Sequence, residues 1–207
     1  MTSPVVHVTG PTNACLAGGE RRLLPAAKAL LRSAAIALAL VAVVGCGPRL
    51  PRQASDQQLA AEVERRYAAF RRRLFPAVPD ISVADWLSAG RPAGSGRQRL
   101  LVDVRDAHEQ AVSMLPGAIS RQAFERDRER YRDHLIVPYC TIGLRSGLYA
   151  QELIDQGFAA RNLAGSVLAW AHAGQPFEAG GRSTRRVHVY GADWNLLPRG
   201  YEPVLER

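Results

Sequence analysis

The sequence predicts an α/β fold in which helices flank a central parallel sheet, with an N-terminal helix and a C-terminal extension that contains β structure. The chain has 207 residues, 47% hydrophobic and 22% charged, which is typical of a globular protein with one core. From Ile81 onward, short apolar runs alternate with segments of helical length, as in parallel α/β sheets. The apolar runs in residues 99–105 and 134–140 are typical of strands buried on both faces.

Residues 1–46 have the pattern of a bacterial export signal. Basic residues precede an unbroken apolar run over residues 34–44, which ends at Gly45 and Cys46. A helix of that length rises about 16 Å, whereas a bilayer core requires about 20 residues, so the run fits a secretory signal better than a membrane span. A small residue followed by cysteine resembles a bacterial lipobox, which predicts that Cys46 is lipid-modified and becomes the mature N-terminus.

The alternatives are a signal anchor that stays uncleaved and a chance cysteine after a short apolar helix. A lipidated Cys46 would place the protein in the bacterial cell envelope, anchored to the membrane and facing the periplasm or the exterior. Residues 47–54, which contain Pro48 and Pro51, are expected to form a tether.

Residues 55–75 predict an amphipathic helix. Ser55 and Gln58 have the spacing of a capping box, and apolar residues recur at helical intervals from Leu59 onward. Pro76 ends the helix, because the residue before a proline disfavours helical geometry. The apolar stripe predicts that this helix packs on the folded domain.

A folded domain is expected over residues 78–178. Its predicted elements, in order, are a short strand and helix in 81–90, a buried strand in 99–105, a polar helix in 123–133, a second buried strand in 134–140, a helix in 147–157, and a strand, turn and short helix in 160–174. Ligands of such sheets bind at the carboxyl ends of the strands, and Cys140 stands at the carboxyl end of the second buried strand.

Residues 179–207 form the predicted extension. Val187 and Val189 alternate with Arg186, His188 and Tyr190, which is a strand pattern. We expect an edge strand that covers the domain, with a lid near the active site as the alternative, and we assign no catalytic role to His188 or Tyr190.

The segment after Cys140 carries the chemistry. Residues 141–144 must turn tightly before the next helix, and Gly143 is free to adopt a positive φ. Such a turn directs backbone N–H groups inward. Together with a helix N-terminus and the charge of Arg145, these groups favour the binding of an anion and the thiolate form of Cys140, which is the reactive form. Cys140 is therefore the predicted nucleophile, and a buried inert cysteine is the alternative. The predicted loop residues are Thr141, Ile142, Gly143, Leu144 and Ser146.

Three blocks, residues 100–120, 140–147 and 152–174, together resemble a single-domain rhodanese from about residue 81 to residue 174. The resemblance implies that Cys140 takes a sulfane sulfur from thiosulfate or another donor, holds it as a persulfide, and passes it to a thiol or to cyanide. It also implies that Arg145 binds the anionic end of the donor. Asp103 and Arg105 are similar to the family's buried structural pair near the loop.

The number of residues between the cysteine and the arginine of the loop distinguishes the classes of enzyme that share this fold. Rhodanese-fold phosphatases and arsenate reductases have five residues between cysteine and arginine, whereas this chain has four, which favours sulfur transfer. Ser113 and Met114 replace the glycine and histidine usual in the family. Thr141 and Leu144 make the mouth of the loop less cationic, so a persulfide or a protein donor fits as well as thiosulfate.

Two functions follow: a sulfurtransferase, or a binding or persulfide-carrier module without notable turnover. The intact Cys140, Gly143 and Arg145 favour the enzyme. The net charge is +8, but the arginines lie among acidic neighbours, so nucleic-acid binding is not expected. The histidines and cysteines lack zinc-ligand spacing, and we predict neither a metal nor a cofactor. A protein partner is compatible with the sequence but is not identified by it.

Overall fold

The computed structural model describes residues 54–88 and 97–205. The predicted signal, the lipobox at Cys46 and the tether up to residue 53 lie outside the described residues. Within the described ranges, no helix is long and apolar enough to cross a membrane.

A parallel sheet forms the centre of the domain. Strand β2 (Arg99–Asp103) lies between β3 (Ile119–Ser120) and β4 (Leu135–Tyr139), and β5 (Ala159–Ala160) pairs with the other side of β4. Only Arg161 separates β5 from β6 (Asn162–Leu163), and β6 pairs in parallel with β1 (Asp80–Ile81). One extended segment therefore contacts β4 at its start and β1 at its end.

Helices flank this sheet, as the sequence predicts. They are α1 (Asp56–Leu74), α2 (Val83–Ser88), α3 (Ala107–Val112), α4 (Arg121–Arg126), α5 (Leu144–Asp155) and α6 (Ser166–His172). The single polar helix predicted for residues 123–133 is wrong. Asp127 leaves helical geometry, with φ −122° and ψ 26°, so the segment divides into α4 and a short 3₁₀ turn at Arg128–Tyr131.

Helix α1 packs on the domain through its apolar side. The predicted capping box is present: the Ser55 N–H donates to the Gln58 side chain at 2.8 Å, and the Gln58 N–H donates to the Ser55 hydroxyl at 3.3 Å. Val63 and Phe70 are buried, and the helix contacts α5 and α6. The capping groups begin the helix and the buried apolar side fixes its position.

Two strand pairs lie at the C-terminal end, and the first begins two residues before the predicted extension. Strands β7 (Phe177–Ala179) and β8 (Arg182–Thr184) form an antiparallel hairpin, and β9 (Arg186–His188) pairs in parallel with β10 (Glu202–Val204). The strand pattern predicted around Val187 is present. Its strict alternation is wrong, because His188 is 1% exposed and is buried together with the valines on either side.

Candidate active site

Cys140 directly follows β4, in the turn that leads into α5. Gly143 has a φ of +105°, the positive value that glycine adopts without steric cost, and it forms the N-cap of α5. The Gly143 N–H donates to the Cys140 Sγ at 3.1 Å, and the Ser146 hydroxyl lies 3.6 Å from the same sulfur. The turn therefore directs its donors at the sulfur, as the sequence predicts.

The surroundings of Cys140 favour its thiolate. Burial acts to raise the pKa of the Cys140 thiol, but the positive charge of Arg145 and hydrogen bonds from Ser146 and Gly143 outweigh it, so the pKa lies below its ordinary value. The thiolate is the form that attacks an electrophilic sulfur. The predicted loop residues are all largely buried.

Arg145 is held by a carboxylate that the sequence did not reveal. Its Nη1 donates to Glu109 Oε2 at 2.6 Å and its Nη2 donates to Glu109 Oε1 at 2.8 Å, a bidentate pair. Nη2 also lies 3.3 Å from the Thr141 hydroxyl, and Asp106 is 3.6 Å from Nη1. The resemblance assigns this guanidinium to the donor's anionic end, and here it already carries an intramolecular partner.

Glu109 is fully buried, yet it remains ionised. Burial acts to raise its pKa, but the hydrogen bond and charge of Arg145 hold the pKa of Glu109 below its ordinary value. Glu109 also accepts the Asp106 N–H at 3.0 Å, as the third residue of the α3 capping box. That capping-box spacing was the signal in the sequence, but it gave no indication of a partner 36 residues away.

The predicted pair of Asp103 and Arg105 is present and completely buried, with Arg105 Nη2 2.7 Å from Asp103 Oδ2. The Tyr139 hydroxyl donates to the same carboxylate at 2.7 Å. Arg105 also donates to the carbonyl oxygen of Ser113 at 2.6 Å. The pair thus ties the end of β2 to the end of β4 directly before Cys140, which supports the loop.

Comparison with known proteins identifies the central part of the chain. Residues 83–173 match the family model of the rhodanese-like domain. This part of the chain is therefore similar to a rhodanese-like domain. The match lies within the span of the sequence resemblance, and the fold class predicted from the sequence is confirmed.

Several solved structures are similar to this chain. A thiosulfate sulfurtransferase from Pseudomonas aeruginosa is 20% identical over 62% of this chain and 24% of that one, with a TM-score of 0.46. A protein of unknown function from Rhodopseudomonas palustris, described as a possible tyrosine phosphatase, is 22% identical over 64% and 99%, with a TM-score of 0.42. A rhodanese-like domain protein from Staphylococcus aureus is 22% identical over 49% and 98%, with a TM-score of 0.40. The search of curated proteins found no match.

Behind the loop lies Ser166, whose role no motif in the sequence revealed. Its hydroxyl accepts the Cys140 N–H at 3.1 Å and donates to the Leu163 carbonyl oxygen at 3.0 Å. Ser166 has a positive φ of 49°, a conformation that costs free energy for any residue with a side chain. It therefore anchors the backbone of Cys140 to the start of α6.

Helix α1 completes one side of the loop. The Tyr67 ring lies so close to Gly143 that an added Cβ would be 2.6 Å from its Cε2 atom. The Asn162 amide donates to the Gly143 carbonyl oxygen at 2.9 Å and to the Tyr67 hydroxyl at 3.1 Å. Tyr67 also donates to Asp80. The loop conformation thus depends on a helix outside the residues that match the family model.

The C-terminal extension contacts the other side of the site. The Arg145 guanidinium lies over the Tyr190 ring, 5.3 Å from its centroid. His188 is buried with its Nδ1 3.7 Å from Glu109 Oε1. The predicted cover is therefore present, but it lies against the candidate active site, which was only the alternative expectation from the sequence.

One group of side chains has the residue types of a metal site. Asp106, His108 and Glu109 bring ligand atoms within 4.8 Å of one another. Both Glu109 oxygens already accept hydrogen bonds from Arg145, and Asp106 lies 3.6 Å from the same guanidinium, so the two carboxylates are partners of Arg145.

Proposed function

We propose that this protein is a sulfurtransferase that moves a sulfane sulfur through a persulfide on Cys140 to a thiophilic acceptor. The observation that carries the proposal is the direction of the loop donors. The Gly143 N–H and the Ser146 hydroxyl both point at the Cys140 sulfur, where they stabilise negative charge first on the thiolate and then on the persulfide.

The first half-reaction is a displacement at sulfur. The Cys140 thiolate attacks the outer sulfur of the donor, a new S–S bond forms, and the donor's S–S bond breaks. The electron pair of the broken bond leaves with the remainder of the donor, as sulfite from thiosulfate or as a thiolate from a persulfide. In the second half-reaction a thiolate or cyanide attacks the outer sulfur of the Cys140 persulfide, and the Cys140 thiolate leaves.

The four-residue loop supports sulfur transfer over phosphoester hydrolysis. Its donors converge on the Cys140 sulfur, and Ile142 and Leu144 of the same loop are buried. A tetrahedral phosphoryl group would need a wider ring of donors with an unpaired arginine. Here Glu109 already occupies both terminal nitrogens of Arg145.

The test uses the full chain and a Cys140→Ser control. Each protein is incubated with thiosulfate, polysulfide or a low-molecular-weight persulfide, and the mass of the Cys140 peptide is measured. We expect a gain of one sulfur atom that a thiol or cyanide then removes. A persulfide that forms but does not turn over would support the carrier module instead, and no gain with any donor would contradict both.

We also propose that Cys46 is lipidated and anchors the protein in the bacterial cell envelope. The support is the order of features in the sequence: basic residues, an apolar run over residues 34–44, a small residue and then cysteine. Membrane fractionation of the full chain and of a Cys46→Ala variant tests the proposal. Unaltered fractionation of the variant would contradict it.

A further inference from the structure

We infer that Tyr190 determines donor specificity, by directing the site toward organic persulfides and away from thiosulfate. The inference rests on the proposed sulfurtransferase function and goes beyond it, because it assigns a substrate class and a residue outside the rhodanese-like domain. Three observations carry it: the position of the ring, the backbone geometry that holds it, and the charge around Arg145.

The ring position links the extension to the reactive centre. Tyr190 lies 5.3 Å from the Arg145 guanidinium, and Arg145 is the cation that acts on the Cys140 sulfur. Tyr190 is 50% exposed, one of few large hydrophobic side chains on the described surface. A molecule that approaches Arg145 from solvent therefore meets an aromatic surface beside the guanidinium.

The backbone holds this ring in a costly conformation. Tyr190 has a φ of +66°, and the Gly191 N–H donates to the Val189 carbonyl oxygen at 2.7 Å, the hydrogen bond of a γ-turn centred on Tyr190. A non-glycine residue at positive φ in such a turn is strained, and strain of this kind concentrates at functional sites. The Tyr190 N–H donates to His188 Nδ1 at 3.1 Å, which fixes the turn to a buried side chain.

The domain also holds the strand that precedes the turn. The Ser113 hydroxyl donates to the Arg186 carbonyl oxygen at 2.6 Å, from the position where the family usually has glycine. Val187 and Val189 are completely buried. Contacts of the strand before Tyr190 and of the turn at Tyr190 therefore fix the position of its ring over Arg145.

The negative charge around Arg145 disfavours the binding of a dianionic donor. Glu109 makes two hydrogen bonds to the guanidinium and Asp106 lies 3.6 Å away, so two carboxylates offset its single positive charge. Thiosulfate brings two further negative charges next to the Cys140 thiolate, and its sulfite product carries two as well. A dianion brought close to these carboxylates and the thiolate is repelled, and its desolvation is not compensated.

An organic persulfide matches the same surroundings. As R–S–SH it is neutral at the reacting sulfurs, and the leaving thiolate carries one charge. In this step the Cys140 thiolate reacts with R–S–SH, and the products are the Cys140 persulfide, Cys–S–SH, and the thiolate R–S⁻. Sulfur makes favourable contacts with aromatic rings, and the Tyr190 ring offers such a surface at the approach to Arg145.

The test compares single-turnover rates of Cys140 persulfide formation with cysteine persulfide and with thiosulfate, at one pH and one ionic strength. The proteins are the full chain and its Tyr190→Phe and Tyr190→Asn variants. Phenylalanine keeps the ring, whereas asparagine removes it and tolerates a positive φ. The ratio of the two rates is the readout, because any loss of correctly folded protein cancels in it.

We expect the full chain and Tyr190→Phe to prefer cysteine persulfide, and Tyr190→Asn to shift the ratio toward thiosulfate by up to about tenfold, the upper end of a sulfur–aromatic contact. An unchanged ratio in Tyr190→Asn, or equal rates with the two donors in the unmodified chain, would overturn this inference while leaving the sulfurtransferase function intact. Failure of every donor to form a persulfide would overturn the proposed function and this inference with it.

Discussion

Replacement of Gly143 by alanine tests whether the loop after Cys140 is held by helix α1. Gly143 has a φ of +105°, and a Cβ at this position would lie 2.6 Å from Tyr67 Cε2, 2.8 Å from Tyr67 Cδ2 and 3.4 Å from Asn162 Nδ2. The substitution thus imposes two costs, one from the backbone conformation and one from the contact with the Tyr67 ring.

Both costs can be estimated. A side chain at left-handed φ costs about 1–2 kcal/mol, and an extra methyl group in a packed site costs about 1–3 kcal/mol, so we expect Gly143→Ala to lower the free energy of unfolding by about 2–5 kcal/mol. Gly157→Ala is the matched control, because Gly157 has a φ of +82° with no atom within 4 Å of its added Cβ. This control should cost only the backbone term, about 1–2 kcal/mol.

The assay is equilibrium urea unfolding of the full chain and both variants, with the rate of Cys140 alkylation as a second readout. Any gain from a less flexible unfolded chain applies equally to both variants and cancels in the comparison. Alkylation should change in Gly143→Ala, because the Gly143 N–H bonds to the Cys140 sulfur, and should stay the same in Gly157→Ala. Equal destabilisation by the two substitutions would refute the contact between α1 and the loop.

Two further predictions concern the charges around Cys140. Arg145→Leu removes the cation that lowers the pKa of Cys140, so the midpoint of its pH-dependent alkylation by iodoacetamide should move to higher pH, and an unmoved midpoint would contradict this electrostatic role. Glu109 has a lowered pKa in the folded state, so its stabilisation is present above its unfolded-state pKa and is lost as the pH falls through the folded-state value. Glu109→Gln should therefore cost about 2 kcal/mol at neutral pH and progressively less in acid, whereas a cost independent of pH would contradict the ion pair.

The strands and the position of Cys140 could be predicted from the sequence because their signals are local. The apolar runs of β2 and β4 indicated buried strands, and the position of Cys140 after β4 placed it at the edge where ligands bind. Gly143 was identified because a tight turn into a helix requires a residue that adopts positive φ. Asp103 and Arg105 were identified through the resemblance, since their motif lies within one short block.

The partners of the loop could not be predicted because they come from distant parts of the chain. Glu109 pairs with Arg145 across 36 residues, and Tyr67 reaches Gly143 and Asn162 from a helix that precedes the domain. The alternation around His188 indicated a strand with one exposed face. Strand β9 instead lies between β10 and α3, so His188 is buried as well. An alternating sequence pattern indicates a strand with one exposed face only when no second element packs on that face.

The mass of the Cys140 peptide after incubation of the full chain with sulfane-sulfur donors tests the central claim most directly. A persulfide on Cys140 requires the low thiol pKa, the loop donors and access to the sulfur all at once. We predict a gain of one sulfur atom that a thiol reverses and that is absent from Cys140→Ser. An unchanged mass with thiosulfate, polysulfide and cysteine persulfide would contradict the assignment of this loop to sulfur transfer.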